Sequence, residues 1–204
     1  MTLEIKSIKP VYGENYKKGY IGFTYYNTSV ISRGIAYMTR WARMGDIKVS
    51  HTLLVTGDNK CIEAHIQNGV QKTDLTKYFD DTSCQIFFRK PVGLNMAIAD
   101  NLEKVAKKEL GTKYDIGLIG GEALQGSFIG KLINKLFDGK PDKLVSKLLN
   151  GDNKWICSEL VAHCLSEQAE YKGKGILNNS DETIDPQELF EDMVIFEPWK
   201  VVAK

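Results

Sequence analysis

The sequence predicts an α+β fold in which helices pack against a central antiparallel sheet. In the first half of the chain, short segments rich in β-branched and aromatic residues alternate with Gly, Asp and Asn turns. Two later segments repeat their apolar residues at helical spacing instead. The 204 residues, 43% hydrophobic and 26% charged, suit one domain over residues 1–204. A chain of this length buries about 70% of its unfolded surface, enough for one core.

Strands are expected over residues 20–26, 51–56, 61–66, 69–75 and 83–89. The second and third form a hairpin, because Gly57, Asp58 and Asn59 supply the backbone angles of a reversal. The apolar run at 86–88 indicates a strand buried on both faces.

Helices are expected over residues 30–44 and 95–110, the latter capped by Asn95 and stopped at Gly111. The glycine-interrupted segment 117–150 is interpreted as short helices, a lid or insertion over the core. Another helix begins near Cys157, and Asp185 followed by Pro186 opens a short one. Residues 193–196 are expected to form a closing strand.

The charge balance limits the classes of partner. Twenty-seven Lys and Arg against 26 Asp and Glu give a net charge of +1, which argues against a general nucleic-acid binder.

Residues 1–10 mix charged and apolar residues without the apolar core of a secretory signal, and no apolar run is long enough to span a bilayer. We therefore expect a chain that is cytoplasmic as synthesised and that reaches any outside target by non-classical release.

Cys157 is the strongest candidate for a reactive residue. The apolar residues around it recur at i, i+3, i+4, i+7 and i+8, which places Cys157 in the first turn on the inward face of a helix. A helix N-terminus stabilises a thiolate, the reactive form, through free N–H groups and the positive end of the dipole. The alternative is a structural cysteine, since free cysteines are often simply buried.

Three histidines are available as a base for this thiol. His163 lies on the same helix but on a different face, so it cannot reach Cys157. His51 opens a strand and can face a helix N-terminus, while Glu63 on the next strand can accept from its second nitrogen. His65 shares a sheet face with Glu63 and is either a rival base or a bystander.

The order of these pieces resembles the permuted NlpC-type papain-like hydrolases, in particular the YiiX/YebB-like group. In that family, the catalytic His lies on one strand, the Glu lies on the next strand, and the Cys begins a helix later in the chain. Papain has the reverse order, with its Cys before its His. The most specific match is Cys-Ser-Glu-Leu-Val at 157–161. Further matching pieces are Gly-Tyr-Ile-Gly-Phe at 19–23, Ile-Ser-Arg at 31–33, Gly-Val at 69–70 and Lys-Tyr-Asp at 113–115.

The resemblance spans residues 19–165 and implies a papain-like fold, circularly permuted, with the nucleophile helix packed on the sheet. It implies Cys157 as nucleophile, His51 as general base and Glu63 as the residue that orients the imidazole. Tyr114 is implied as a substrate or oxyanion contact, although a buried aromatic is its simpler interpretation. The expected function is thiol hydrolysis of an amide bond in a cell-wall peptide or similar isopeptide, without a cofactor.

Three alternatives stay open. The first is lipid acyl transfer or ester cleavage by the same three residues. Segment 127–150 has an apolar face and five lysines against two aspartates, which suits a membrane surface or a lid packed on the core. The second is a binding protein of the same fold without turnover. The third is a zinc site formed by His51, Glu63, His65 and Cys157, but no metal-binding spacing is present and we expect no metal.

Overall fold

The computed structural model of this chain describes residues 9–28, 47–115, 154–178 and 184–197, and the backbone of 202–203. The strands are β1 (Ile21–Tyr26), β2 (His51–Gly57), β3 (Lys60–His65), β4 (Gly69–Asp74), β5 (Cys84–Arg89), β6 (Lys113–Tyr114), β7 (Lys154–Trp155) and β8 (Val202–Ala203). The helices are α1 (Thr76–Asp80), α2 (Met96–Lys108), α3 (Cys157–Ser166) and α4 (Pro186–Glu191), with a 3₁₀ turn at Gly175–Asn178.

The main sheet has the order β4-β3-β2-β1-β5, and the two-residue strand β8 extends it beside β5. Every neighbouring pair in it is antiparallel. The mixed α and β composition and the antiparallel sheet predicted from the sequence are confirmed. The predicted β2–β3 hairpin is also present, and Asn59 at its turn has a φ of 51°, a conformation that asparagine tolerates better than most residues.

Helices α2 and α3 contact the sheet at β2 and β3 and contact each other. Helix α2 begins where its sequence predicts, because the Asn95 side chain accepts a hydrogen bond from the Ile98 amide. Gly111 follows it with a φ of 87°, which suits a residue without a Cβ. The buried side of α3 contains Leu160, Val161 and Leu165, as the helical spacing indicates.

The closing strand predicted over residues 193–196 is wrong. The Asp192 carboxylate accepts hydrogen bonds from the amides of Val194 and Ile195, both at 2.7 Å. Because these two amides bond to the Asp192 side chain, they do not bond to a neighbouring strand. The segment forms an isolated bridge between Pro91 and Phe196 in place of a strand.

The predicted helix 30–44 and the expected lid at 117–150 lie outside the described residues. The sequence interpretation missed α1 and the parallel pair β6–β7, which are short. Among the described helices, none has the length and apolar character needed to cross a bilayer.

Candidate active site

Cys157 is the first residue of α3 and is buried. Ile156 precedes it with extended backbone, and the Ile156 amide donates to the Glu159 carboxylate at 3.3 Å. The interactions around the helix start therefore fix where α3 begins. They place the Cys157 side chain at the free N–H groups of the first turn, where a thiolate is stabilised.

His51, the first residue of β2, contacts two other candidate residues. Its Nε2 lies 2.7 Å from Oε2 of Glu63, and its ring is hydrogen bonded to the Cys157 side chain. Because Nε2 is directed at the carboxylate, Nδ1 is the nitrogen left for the thiol. The His51 side chain is 19% exposed, so solvent reaches the group between the thiol and the carboxylate.

His51 and Glu63 lie on the neighbouring antiparallel strands β2 and β3. In the direction of His51, the pairing of β2 with β3 extends as far as the pair of Leu54 and Ile62. Beyond it, the Thr52 amide donates a hydrogen bond to the sulfur of Cys157. The nucleophile thus lies against the backbone of the strand that carries the base.

The electrostatics of Cys157 and His51 favour a charged pair. Burial acts to raise the pKa of Cys157, but the charge and hydrogen bond of His51, with help from the Thr52 amide and the Tyr114 hydroxyl, lower it overall. Burial acts to lower the pKa of His51, but Cys157 and Glu63 together raise it. Each group stabilises the charged form of the other, so their proximity favours a thiolate–imidazolium pair.

Glu63 is the third member of the set, and its side chain is 0% exposed. Burial acts to raise the pKa of Glu63, but hydrogen bonds and charges from His51 and Lys77 lower it well below its usual value. The carboxylate therefore stays ionised and can hold the imidazole ring in one orientation.

Tyr114 is brought to Cys157 by the small parallel sheet. Tyr114 on β6 is in register with Trp155 on β7, two residues before the nucleophile. Its buried hydroxyl donates to the Cys157 sulfur and accepts from the Cys157 amide. The structure thus places all four sequence-predicted site residues, Tyr114 included, in one cluster.

The two other histidines have different surroundings. His65 pairs with Gly69 at the end of β3, and its Nδ1 accepts from the Gln67 amide at 3.3 Å. His163 stacks on Trp155 with ring centroids 4.8 Å apart. The histidine hydrogen bonded to Cys157 is therefore His51, and the rival assignment to His65 is not supported by this geometry.

Four side chains that the sequence interpretation missed surround Glu63: Gln71 and Thr73 on β4, and Lys77 and Tyr78 on α1. The contact with Gln71 could have been predicted from the pairing of β3 with β4, because Glu63 lies directly opposite Gln71. No comparable signal marks Lys77 and Tyr78, which reach Glu63 only through the tertiary packing of α1.

A zinc site was one alternative use of these residue types. Within residues 9–28, 47–115, 154–178 and 184–197, no cluster of three His, Cys, Asp or Glu side chains is arranged to hold a metal ion. The site contacts described above are hydrogen bonds and ion pairs among protein groups.

Comparisons of this chain with protein-family models, with curated proteins and with solved structures gave no match.

Proposed function

We propose that this chain is a cysteine hydrolase with a circularly permuted, NlpC-type papain-like fold, and that it cleaves an amide bond with Cys157, His51 and Glu63. One observation carries the proposal: a single imidazole contacts a buried carboxylate and a thiol at a helix N-terminus. This is the arrangement that activates a cysteine nucleophile. The chain order, with His51 and Glu63 on adjacent strands before the Cys157 helix, agrees with the resemblance in the sequence.

In the acylation step, the Cys157 thiolate attacks the carbonyl carbon of the substrate amide. The C–S bond forms and the carbonyl π electrons move to oxygen, giving a tetrahedral oxyanion. When the C–N bond breaks, the His51 imidazolium donates its proton to the leaving nitrogen, so the amine departs neutral. The product on the protein is a thioester at Cys157.

In the deacylation step, His51 is neutral and accepts a proton from water as the water attacks the thioester carbon. Collapse of the second tetrahedral species breaks the C–S bond, releases the carboxylic acid and restores the thiolate–imidazolium pair. Glu63 remains ionised throughout and stabilises the imidazolium each time it forms.

The Cys157 amide and the Tyr114 hydroxyl are the donors we assign to the oxyanion. In the free protein they contact each other, and the hydroxyl also contacts the sulfur. A carbonyl oxygen that enters between them can accept from both, and donors fixed where charge develops are worth about 10²–10³ in rate each.

The substrate class that we propose, a cell-wall peptide or similar isopeptide, comes from the family resemblance. Incubation of the purified chain with short peptidoglycan stem peptides, followed by mass spectrometry, should yield two fragments whose masses sum to the substrate plus water. Cys157→Ser should abolish this reaction. The matched control is Cys164→Ser, which changes a buried cysteine two turns further along α3 and should retain it.

Other outcomes of the same assay distinguish the alternatives. Cleavage that survives Cys157→Ser would contradict the proposed nucleophile. Ester cleavage of phospholipid vesicles without peptide cleavage would instead support the lipid-directed alternative. Tight peptide binding without any fragment would support a binding protein of this fold.

A further inference from the structure

The carboxylate of Glu63 accepts hydrogen bonds from five side chains, of which only His51 belongs to the proposed reacting set. Oε2 accepts from His51 and from the Tyr78 hydroxyl. Oε1 accepts from Lys77 at 2.7 Å, Thr73 at 2.7 Å and Gln71 at 3.3 Å. Donors on both oxygens prevent the carboxylate from rotating, so Oε2 stays directed at the imidazole.

Among the four donors to Glu63 other than His51, Lys77 is the cation. Its Nζ bonds the carboxylate oxygen that His51 does not use and lies 4.6 Å from the centroid of the Tyr78 ring. The Lys77 side chain is 38% exposed, whereas Glu63 is fully buried. An accessible cation therefore neutralises a carboxylate that solvent cannot reach.

The charge matters because His51 must alternate between two protonation states during the proposed reaction. When His51 is neutral, Glu63 without Lys77 would be a buried anion with only neutral partners, which is costly. That cost would favour a proton on His51 and oppose both its transfer to the leaving amine and the use of His51 as a base. Lys77 keeps Glu63 paired in both states and so lowers the affinity of His51 for its proton.

We propose that Lys77 is a positioning residue for the Cys157–His51 pair: from Oε1 of Glu63 it holds the carboxylate ionised and directed at His51, and it sets the pH range over which His51 exchanges its proton. The effect of Lys77 on turnover rests on the proposed function. Its effect on the protonation of His51 rests only on the contacts of Glu63.

Other titratable groups also act on Glu63, His51 or Tyr78 from the surrounding elements. They are Tyr26 on β1, Cys61 and His65 on β3, and Cys157 on α3. The pKa of Cys61 is raised by burial and that of His65 is lowered by burial, so both are neutral near pH 7. The pKa of Tyr26 is raised by burial as well, which leaves Cys157 as the one partner that must be removed to isolate the effect of Lys77.

The test is an NMR titration of the His51 ring in the full chain carrying Cys157→Ser. This background removes the thiolate and does not depend on hydrolysis. Adding Lys77→Met, or Lys77→Gln as a second neutral variant, should raise the His51 pKa by about 0.5 pH unit or more, because a positive charge near the imidazole is lost. Lys77→Arg should restore it. The control is Lys72→Met, which removes an exposed lysine next to Gln71 in β4.

A His51 pKa that is unchanged or lowered in folded Lys77→Met and Lys77→Gln would overturn the inference, as would a loss of thermal stability alone. With Cys157 present, Lys77→Met should also move the pH optimum of peptide hydrolysis upward. If the wild-type chain shows no hydrolysis while the His51 pKa still rises in the Lys77 variants, the proposed function fails and the positioning role stands.

Discussion

The Tyr114 hydroxyl bridges the backbone amide and the sulfur of Cys157. This one contact joins the β6–β7 pair to the start of α3. It also places a neutral donor beside the thiolate, since burial raises the pKa of Tyr114 and keeps its proton in place. In the proposed reaction, Tyr114 thus contacts the resting nucleophile and also donates to the oxyanion.

Replacing Tyr114 with Phe should therefore slow turnover more than it weakens substrate binding. We expect kcat to fall by about 10²-fold, the usual effect of losing one oxyanion donor, with a small change in KM. The same variant should raise the pKa of Cys157, because one hydrogen bond to the thiolate is lost. Steady-state kinetics and the pH dependence of Cys157 alkylation measure the two effects separately.

The control for this variant is Tyr171→Phe. Tyr171 is also buried, but its hydroxyl has no hydrogen-bond partner in the described part of the chain. Its removal should leave kcat unchanged and should not reduce stability, because no bond is broken. Equal losses of activity in the two variants would mean that Tyr114 acts only through packing.

Glu63 should make the stability of the protein depend on pH. Its folded-state pKa lies below the ordinary value of 4.5, so it stabilises the fold above about pH 4.5 and loses that contribution as pH falls toward the folded-state pKa. Glu63→Gln should remove this part of the pH dependence. Urea unfolding at neutral and acidic pH measures it as the difference between the two free energies of unfolding.

The exposed variant Glu14→Gln provides the comparison, because Glu14 lies at the surface. It should keep the wild-type difference between neutral and acidic pH. A wild-type difference that persists in Glu63→Gln would show that another group dominates the acid response.

Arg89 should stabilise the C-terminal part of the described structure. Its guanidinium is buried and donates to the backbone carbonyls of Phe190, Asp192 and Glu197. Arg89→Met should cost about 3 kcal/mol of unfolding free energy, since it leaves the buried Phe190 carbonyl and two partly buried carbonyls without this donor. Lys90→Met, which breaks a half-exposed ion pair with Glu197, should cost less than about 1 kcal/mol in the same chemical denaturation experiment.

The sequence predicted those parts of the fold and site that depend on local patterns. The hairpin turn at Asn59 and the cap at Asn95 are encoded within a few residues, and so are the strands that carry His51 and Glu63. The predicted hairpin, which makes their strands neighbours, was enough to suggest that these two side chains meet.

The missed and wrongly predicted parts depend on side-chain contacts that sequence periodicity does not show. Helix α1 has five residues, and its place is fixed by burial of Tyr78 and by contacts with Glu63, which no periodicity reveals. Residues 193–196 have the composition of a strand. The Asp192 carboxylate accepts hydrogen bonds from the amides of Val194 and Ile195, however, so a local turn forms instead of a strand.

Selective alkylation is the most direct test of the central claim that Cys157 is a thiolate held by His51. Burial raises the pKa of Cys61, and it raises that of Cys164 to about 12, whereas the pKa of Cys157 is lowered. Iodoacetamide in mildly acidic buffer, followed by peptide mapping, should modify Cys157 first, and His51→Ala should remove this preference. Equal modification of all four cysteines, or an unchanged preference for Cys157 in His51→Ala, would contradict the thiolate–imidazolium pair.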